Sequence, residues 1–124
     1  MVEVCKAGGL PGAIVVTGSS SMLWATPGNA SYAMTKGAID ALVRTLAIEY
    51  GSYGIRVNCL LPGMIESEFG HMEMLVEWIK GVAAIPRSGR ANEMGGIAVY
   101  LASDASTYHT GDSILVDGGL STRR

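Results

Sequence analysis

Two rhythms of apolar and polar positions run along the chain. Short unbroken apolar runs rich in β-branched residues alternate with longer stretches of three- and four-residue period. Ala13-Ile14-Val15-Val16-Thr17 follows Pro11-Gly12 and reads as a buried strand. Ile55 to Leu61, ended by Pro62-Gly63, reads as a second strand, and Ser113 to Val116 as a third. Between the first two lies the longest periodic segment, from about Ser31 to Tyr50, where Ala38, Leu42, Thr45, Leu46 and Glu49 recur at helical steps. Gly51 and Gly54 break it. Glu68 to Ala84 predicts a helical flap, with Met72, Leu75, Val76 and Ile79 at helical spacing and Met74 and Trp78 nearby. Asn92 is placed as an N-cap for a helix from Glu93 to Ala102, which Gly95 and Gly96 loosen at its start. Met1 to Gly12 reads as the end of a helix followed by a Gly/Pro turn.

Gly8-Gly9-Leu10-Pro11-Gly12 precedes a strand, so it lacks the order of a dinucleotide-binding loop, which follows a strand and opens a helix. A small-residue loop that does follow a strand comes one element later. Gly18-Ser19-Ser20-Ser21 ends the first strand, and ligands of open α/β sheets sit outside the carboxyl ends of strands. Tyr32 and Lys36 lie four residues apart at the start of the long helix and so share one face. An ammonium one turn from a phenol favours the phenolate, which makes Tyr32 a general acid/base. By spacing alone, a surface phenol and a solvated lysine is the commoner reading, and only the surrounding residues change that.

Composition narrows the partners. The chain has 124 residues, 48% of them apolar, a net charge of -2 and a pI near 5.6. That is one domain with material for a core, and it argues against nucleic acid or an anionic membrane as partner. No apolar run reaches the ~18 residues of a membrane span. Met1 to Lys6 is too short and polar to begin a secretory signal. Cys5 and Cys59 stand far apart, which suggests neither a disulfide framework nor a metal site and makes a reducing cytoplasm the expected setting.

Taken together, Ile14 to Ser19, Pro27 to Lys36 with Tyr32 and Lys36, Val57 to Ser67 with Pro62-Gly63, and Tyr100 to Asp104 through Thr110-Gly111 to Val116-Asp117-Gly118-Gly119 resemble the short-chain dehydrogenase/reductase family, in its order and spacing. The resemblance covers the family's second half. It implies a partial Rossmann-like, doubly wound α/β fold of three parallel strands with flanking helices. The N-terminal nucleotide-binding half, with its strand, glycine-rich turn and helix, is absent from these residues. It further implies NAD or NADP as cofactor and a small carbonyl or alcohol substrate, with Ser19, Tyr32 and Lys36 catalytic. Tyr32, Lys36, Pro62, Gly63, Ile65 and Ser67 would meet the cofactor. Ser19, Met22 and Trp24 would border the substrate, although Met22 and Trp24 equally suit packing beneath their loop. The family's habit of pairing through the long helix implies a homo-oligomer. Two functions stay open: an oxidoreductase, or a catalytically silent half-domain that folds by self-association or with a partner chain. His71 and His109 are read as solvated and structural.

Overall fold

The computed structural model describes residues 1–24, 27–66 and 73–122. Its elements are α1 (Val2–Lys6), β1 (Ala13–Thr17), α2 (Ala30–Tyr50), β2 (Arg56–Pro62), α3 (Glu73–Val82), α4 (Gly95–Ala102) and β3 (Ser113–Val116). The three strands are parallel, in the order β1-β2-β3. Register runs from Ala13 opposite Arg56 to Thr17 opposite Leu60, and from Cys59 opposite Ser113 to Pro62 opposite Val116. All three carboxyl ends therefore lie on one rim, and Ser19, Gly63 and Asp117 emerge there side by side.

Alternation along β2 sorts its side chains to two faces. Val57, Cys59 and Leu61 turn one way and pack with Ile55, with Ile14 and Val16 of β1, with Leu115 of β3, and with Val43 and Ala47 of α2. Arg56, Asn58 and Leu60 turn the other way. There the Arg56 guanidinium reaches the end of α4, donating to Leu101 O (2.8 Å), Ser103 O (3.0 Å) and Ser106 Oγ (2.6 Å). A cation on the unpaired carbonyls of a helix C-terminus satisfies them and complements the dipole. Helices α2 and α4 thus cover opposite faces, the three-layer arrangement of an α/β sheet.

Three sequence expectations shift, and a fourth is tested only in part. The sheet-facing side of α2 is Ile39, Val43, Leu46, Ala47 and Tyr50, so of the stripe through Ala38, Leu42, Thr45 and Glu49 only the adjoining Leu46 faces inward. Ile55 is buried in the core, but its N–H bonds Tyr50 O (3.3 Å), so the ladder begins one residue later, at Arg56. The fourth helix opens with a 3₁₀ turn at Ala91–Met94 capped from Arg90, whose N–H is bonded by the Glu93 carboxylate (2.7 Å); Asn92 is inside the turn and caps nothing. The flap is helical over Glu73–Val82, and its predicted beginning, with Glu68, His71 and Met72, lies outside the described residues.

β1 pairs with β2 and, among the described residues, with nothing on its other side. A second, smaller core joins Ile79 and Ala83 at the end of α3 to Leu120, with Trp24, Met64 and Val82 packed around it. This cluster holds α3 over the rim.

Candidate functional site

Ser19 owes its position to the glycine before it. Gly18 continues the ladder, its N–H bonding Leu60 O at 2.8 Å. A Cβ on Gly18 would lie 2.5 Å from Leu61 Cδ2 and 2.8 Å from Cys59 Sγ, so only glycine lets the chain pass this close to β2. The next residue, Ser19, caps the 3₁₀ turn Ser20–Met22. Its Oγ accepts from Ser21 N (3.2 Å) and donates to Ser21 Oγ (3.1 Å). Ser19 is only 8% exposed, yet it lines the large cavity on the rim.

Tyr32 reaches the same cavity from the first turn of α2 and is 44% exposed. One turn further, Lys36 Nζ lies 5.7 Å from the centre of the Tyr32 ring and donates to Thr17 O at 3.2 Å. The ammonium is thereby tied to the end of β1, beneath the phenol rather than in the cavity wall. No hydrogen bond joins Ser19 to Tyr32 among the described residues; what they share is the cavity.

The third contribution comes from β2. Gly63 N bonds Val116 O (3.0 Å), and a Cβ there would meet Asp117 Cβ at 2.6 Å, so the exit of β2 runs tightly beside that of β3. Ile65 then bridges Gly89 in parallel, through Gly89 N to Met64 O (2.9 Å) and Glu66 N to Gly89 O (2.8 Å). In such a bridge the central residue's own N–H and C=O point to the opposite side. Those of Ile65 take no hydrogen bond among the described residues. They form an adjacent donor and acceptor, the complement of a carboxamide. Ser67, the other residue expected on this segment, lies outside the described residues, so the segment is described only through Glu66.

The cavity measures about 670 Å³. Its polar end is Ser19, Ser20, Ser21, Asn29 and Tyr32; its apolar wall is Trp24, Met64, Met74, Leu75, Trp78 and Leu120. Trp24 lines this cavity and also packs against the smaller core. Met22 does not border it: its side chain packs against the main core, drawn there by the apolar α2–β2 contact. Leu120, from a 3₁₀ turn after β3, carried no signal in the sequence, since nothing in Gly119-Leu120-Ser121 is periodic. The Trp24 Nε1 and Ser121 Oγ are buried without a partner among the described residues.

Other polar groups serve the scaffold. Asn58, almost fully buried, donates to His109 O (2.7 Å) and accepts from Asp112 N (3.1 Å), fixing the approach to β3. His109 bridges Asp112 (Nε2 to Oδ2, 2.9 Å) and Tyr100 (Nδ1 to the hydroxyl, 3.2 Å), away from the rim. The Arg87 guanidinium, doubly bonded to Glu93 at 2.8 and 2.7 Å, holds that carboxyl well below its ordinary value, at about 2, helped by the Arg90 N–H. Burial pushes the Cys59 thiol up. Among the described residues, no helix is long and apolar enough to cross a membrane and no cluster of metal-ligating side chains occurs.

Known proteins with the same features supply the context. A family model described as enoyl-(acyl carrier protein) reductase matches residues 1–121. The human dehydrogenase/reductase SDR family member 4 is 36% identical over 125 residues, covering 98% of this chain and 44% of that protein. The 3-oxoacyl-(acyl-carrier-protein) reductase FabG of Chlamydia trachomatis is 39% identical over 112 residues, 88% of this chain and 45% of that one. Among solved structures, a gluconate 5-dehydrogenase from Burkholderia cenocepacia in complex with NADP and tartrate superposes with a TM-score of 0.90 at 32% identity, covering 98% of this chain and 49% of that one. A 4-hydroxyisoleucine dehydrogenase complexed with NADH gives a TM-score of 0.86 at 31% identity, over 98% and 51%. The chain spans about half the length of the relatives it matches.

Proposed function

The chain belongs to the short-chain dehydrogenase/reductase family, and from that membership and the rim described above we propose that it carries the proton-transfer site of an NAD(P)-dependent oxidoreductase interconverting a carbonyl and an alcohol. The observation that supports this most is the convergence of Ser19 and Tyr32, from different elements, on one cavity, with Lys36 a turn beneath the phenol.

When bound, a nicotinamide supplies the hydride for carbonyl reduction or accepts it from the alcohol. Ile65 suits it through a main-chain N–H and C=O that take no partner among the described residues, and Pro62, Gly63 and Ser67 are its expected neighbours. Tyr32 gives its phenolic proton to the carbonyl oxygen and recovers one in the reverse direction. Ser19 turns its hydroxyl from Ser21 Oγ to the substrate oxygen and steadies the charge developing there. Lys36, fixed through Thr17 O, puts positive charge beneath the ring, and its ammonium would hydrogen-bond the cofactor ribose. Tyr32→Phe tests the assignment. General acid–base catalysis contributes ~10²–10⁴-fold, so turnover of a ketone with NADH or NADPH falls by about that factor. Retained turnover overturns the role of Tyr32.

The outward face of α2, with Ala38, Ala41 and Leu42 exposed, offers small and apolar surface for a second copy, and we read the protein as a cytoplasmic homo-oligomer. The bare side of β1 supports a second reading, a silent half-domain that is stable only when another strand covers that edge. Unfolding that sharpens and moves to higher urea as protein concentration rises, with no turnover at any concentration, decides for it.

A further inference from the structure

The apolar wall of the cavity is larger than proton transfer requires. Trp24, from the loop after β1, and Trp78, from α3, stack with ring centres 5.8 Å apart and planes inclined by 29°. Both line the cavity, together with Met74 and Leu75. Trp78 is still 41% exposed, although Ile79 beside it is buried and pins the helix. A rigidly held, half-exposed indole at the mouth of a cavity is a surface awaiting an apolar ligand. The lining residues described include no Asp, Glu, Lys, Arg or His. An ionic ligand entering this space loses its hydration and meets no opposite charge among these described residues.

We propose that the substrate is an uncharged molecule with a planar apolar ring, which lies on the Trp24–Trp78 wall with its carbonyl or hydroxyl towards Ser19 and Tyr32, and that Trp78 is the specificity-determining residue. This rests on the reading of the cavity as a carbonyl/alcohol site. A volume of about 670 Å³ accommodates a ring system rather than only a two- or three-carbon ketone.

The chain contains only two tryptophans, and both belong to this wall, so its two indole N–H signals in a nitrogen–proton correlation spectrum report on the cavity alone. The probes are acetophenone, 4-acetylbenzoate with the same ring and a carboxylate, and ringless 2-butanone, each titrated without cofactor. Acetophenone shifts the indole signals saturably and binds about tenfold or more tighter than either of the others. Trp78→Leu keeps apolar bulk but removes the ring; it weakens acetophenone about tenfold, read on the Trp24 signal, and leaves 2-butanone unchanged. Equal or tighter binding of the carboxylate, undiminished acetophenone binding by Trp78→Leu, or no shift with acetophenone overturns the proposal. The test separates the two claims. Acetophenone preference with turnover that survives Tyr32→Phe removes the catalytic reading and leaves the substrate class standing. Tyr32-dependent turnover with carboxylate preference does the reverse.

Discussion

Gly18→Ala is the substitution that most directly joins the fold to the site. The added Cβ falls 2.5 Å from Leu61 Cδ2 and 2.8 Å from Cys59 Sγ, both shorter than any relaxed carbon–carbon or carbon–sulfur contact. Neither neighbour has room to retreat, because Leu61 is 1% and Cys59 0% exposed and both sit in the α2–β2 core. Overpacking of this kind costs ~1–3 kcal/mol. With a urea dependence of ~2 kcal/mol per molar, a loss of ~2 kcal/mol lowers the unfolding midpoint by ~1 M. The strain has a signature that a mere propensity effect lacks. Leu61→Ala alone costs ~2–5 kcal/mol through the cavity it leaves. In Gly18→Ala/Leu61→Ala the new methyl enters that space, and the double variant is less destabilised than the sum of the two by ~1 kcal/mol or more. Urea unfolding of the four proteins at one concentration, followed by circular dichroism, measures the cycle. Because Ser19 follows directly, turnover falls with Gly18→Ala as well. Strict additivity, or a Gly18→Ala variant as stable as the parent, refutes the close-packing account of Ser19's position.

Other expectations follow from the polar scaffold. Asn58→Ala removes the partner of His109 O and Asp112 N at a half-buried place and destabilises by ~1–2 kcal/mol, measured by the same unfolding assay. Glu93 titrates at about 2 in the fold against 4.5 as its ordinary value, so its contribution to stability is complete above about 4.5 and is lost as the pH falls from there towards about 2; Glu93→Gln flattens that part of an acid-unfolding curve, and an unchanged curve contradicts the Arg87–Glu93 assignment. Cys59, buried and with its thiol pushed up, resists iodoacetamide until the chain unfolds, while partly exposed Cys5 reacts in the folded protein; mass spectrometry of the labelled peptides distinguishes them.

The strands were legible because their signal is local. Ala13–Thr17 and Ser113–Val116 are short β-branched or apolar runs bounded by Gly, Pro or Asp, and the structure gives both the same limits. The Tyr32–Lys36 pair was legible for a similar reason, since helical spacing alone sets two side chains one turn apart. Tertiary packing decided the rest. The inward side of α2 depends on where Val57 and Cys59 stand, and two apolar stripes of one helix do not reveal which of them meets a sheet. Trp78 faces Trp24 because Ile79 and Leu120 fasten α3, a contact between segments far apart in sequence. Arg56 gave no sign of holding the end of α4, since two of its three partners are main-chain carbonyls, which every residue carries, and the third is a serine hydroxyl fifty residues away. For Met22 the sequence left two readings open, and packing took the second: a methionine in a loop fills a gap as readily as it meets a ligand, and here it fills one in the core.

The central claim is that Tyr32 and Lys36, together with the main chain that leaves β2 at Gly63 and runs on to Ile65, serve one nicotinamide. Titrating NADH and NADPH against the purified chain, with nicotinamide fluorescence as readout, tests it most directly. The account predicts a saturable enhancement that Lys36→Ala abolishes without unfolding the protein. A folded chain that leaves the fluorescence of both cofactors unchanged contradicts it.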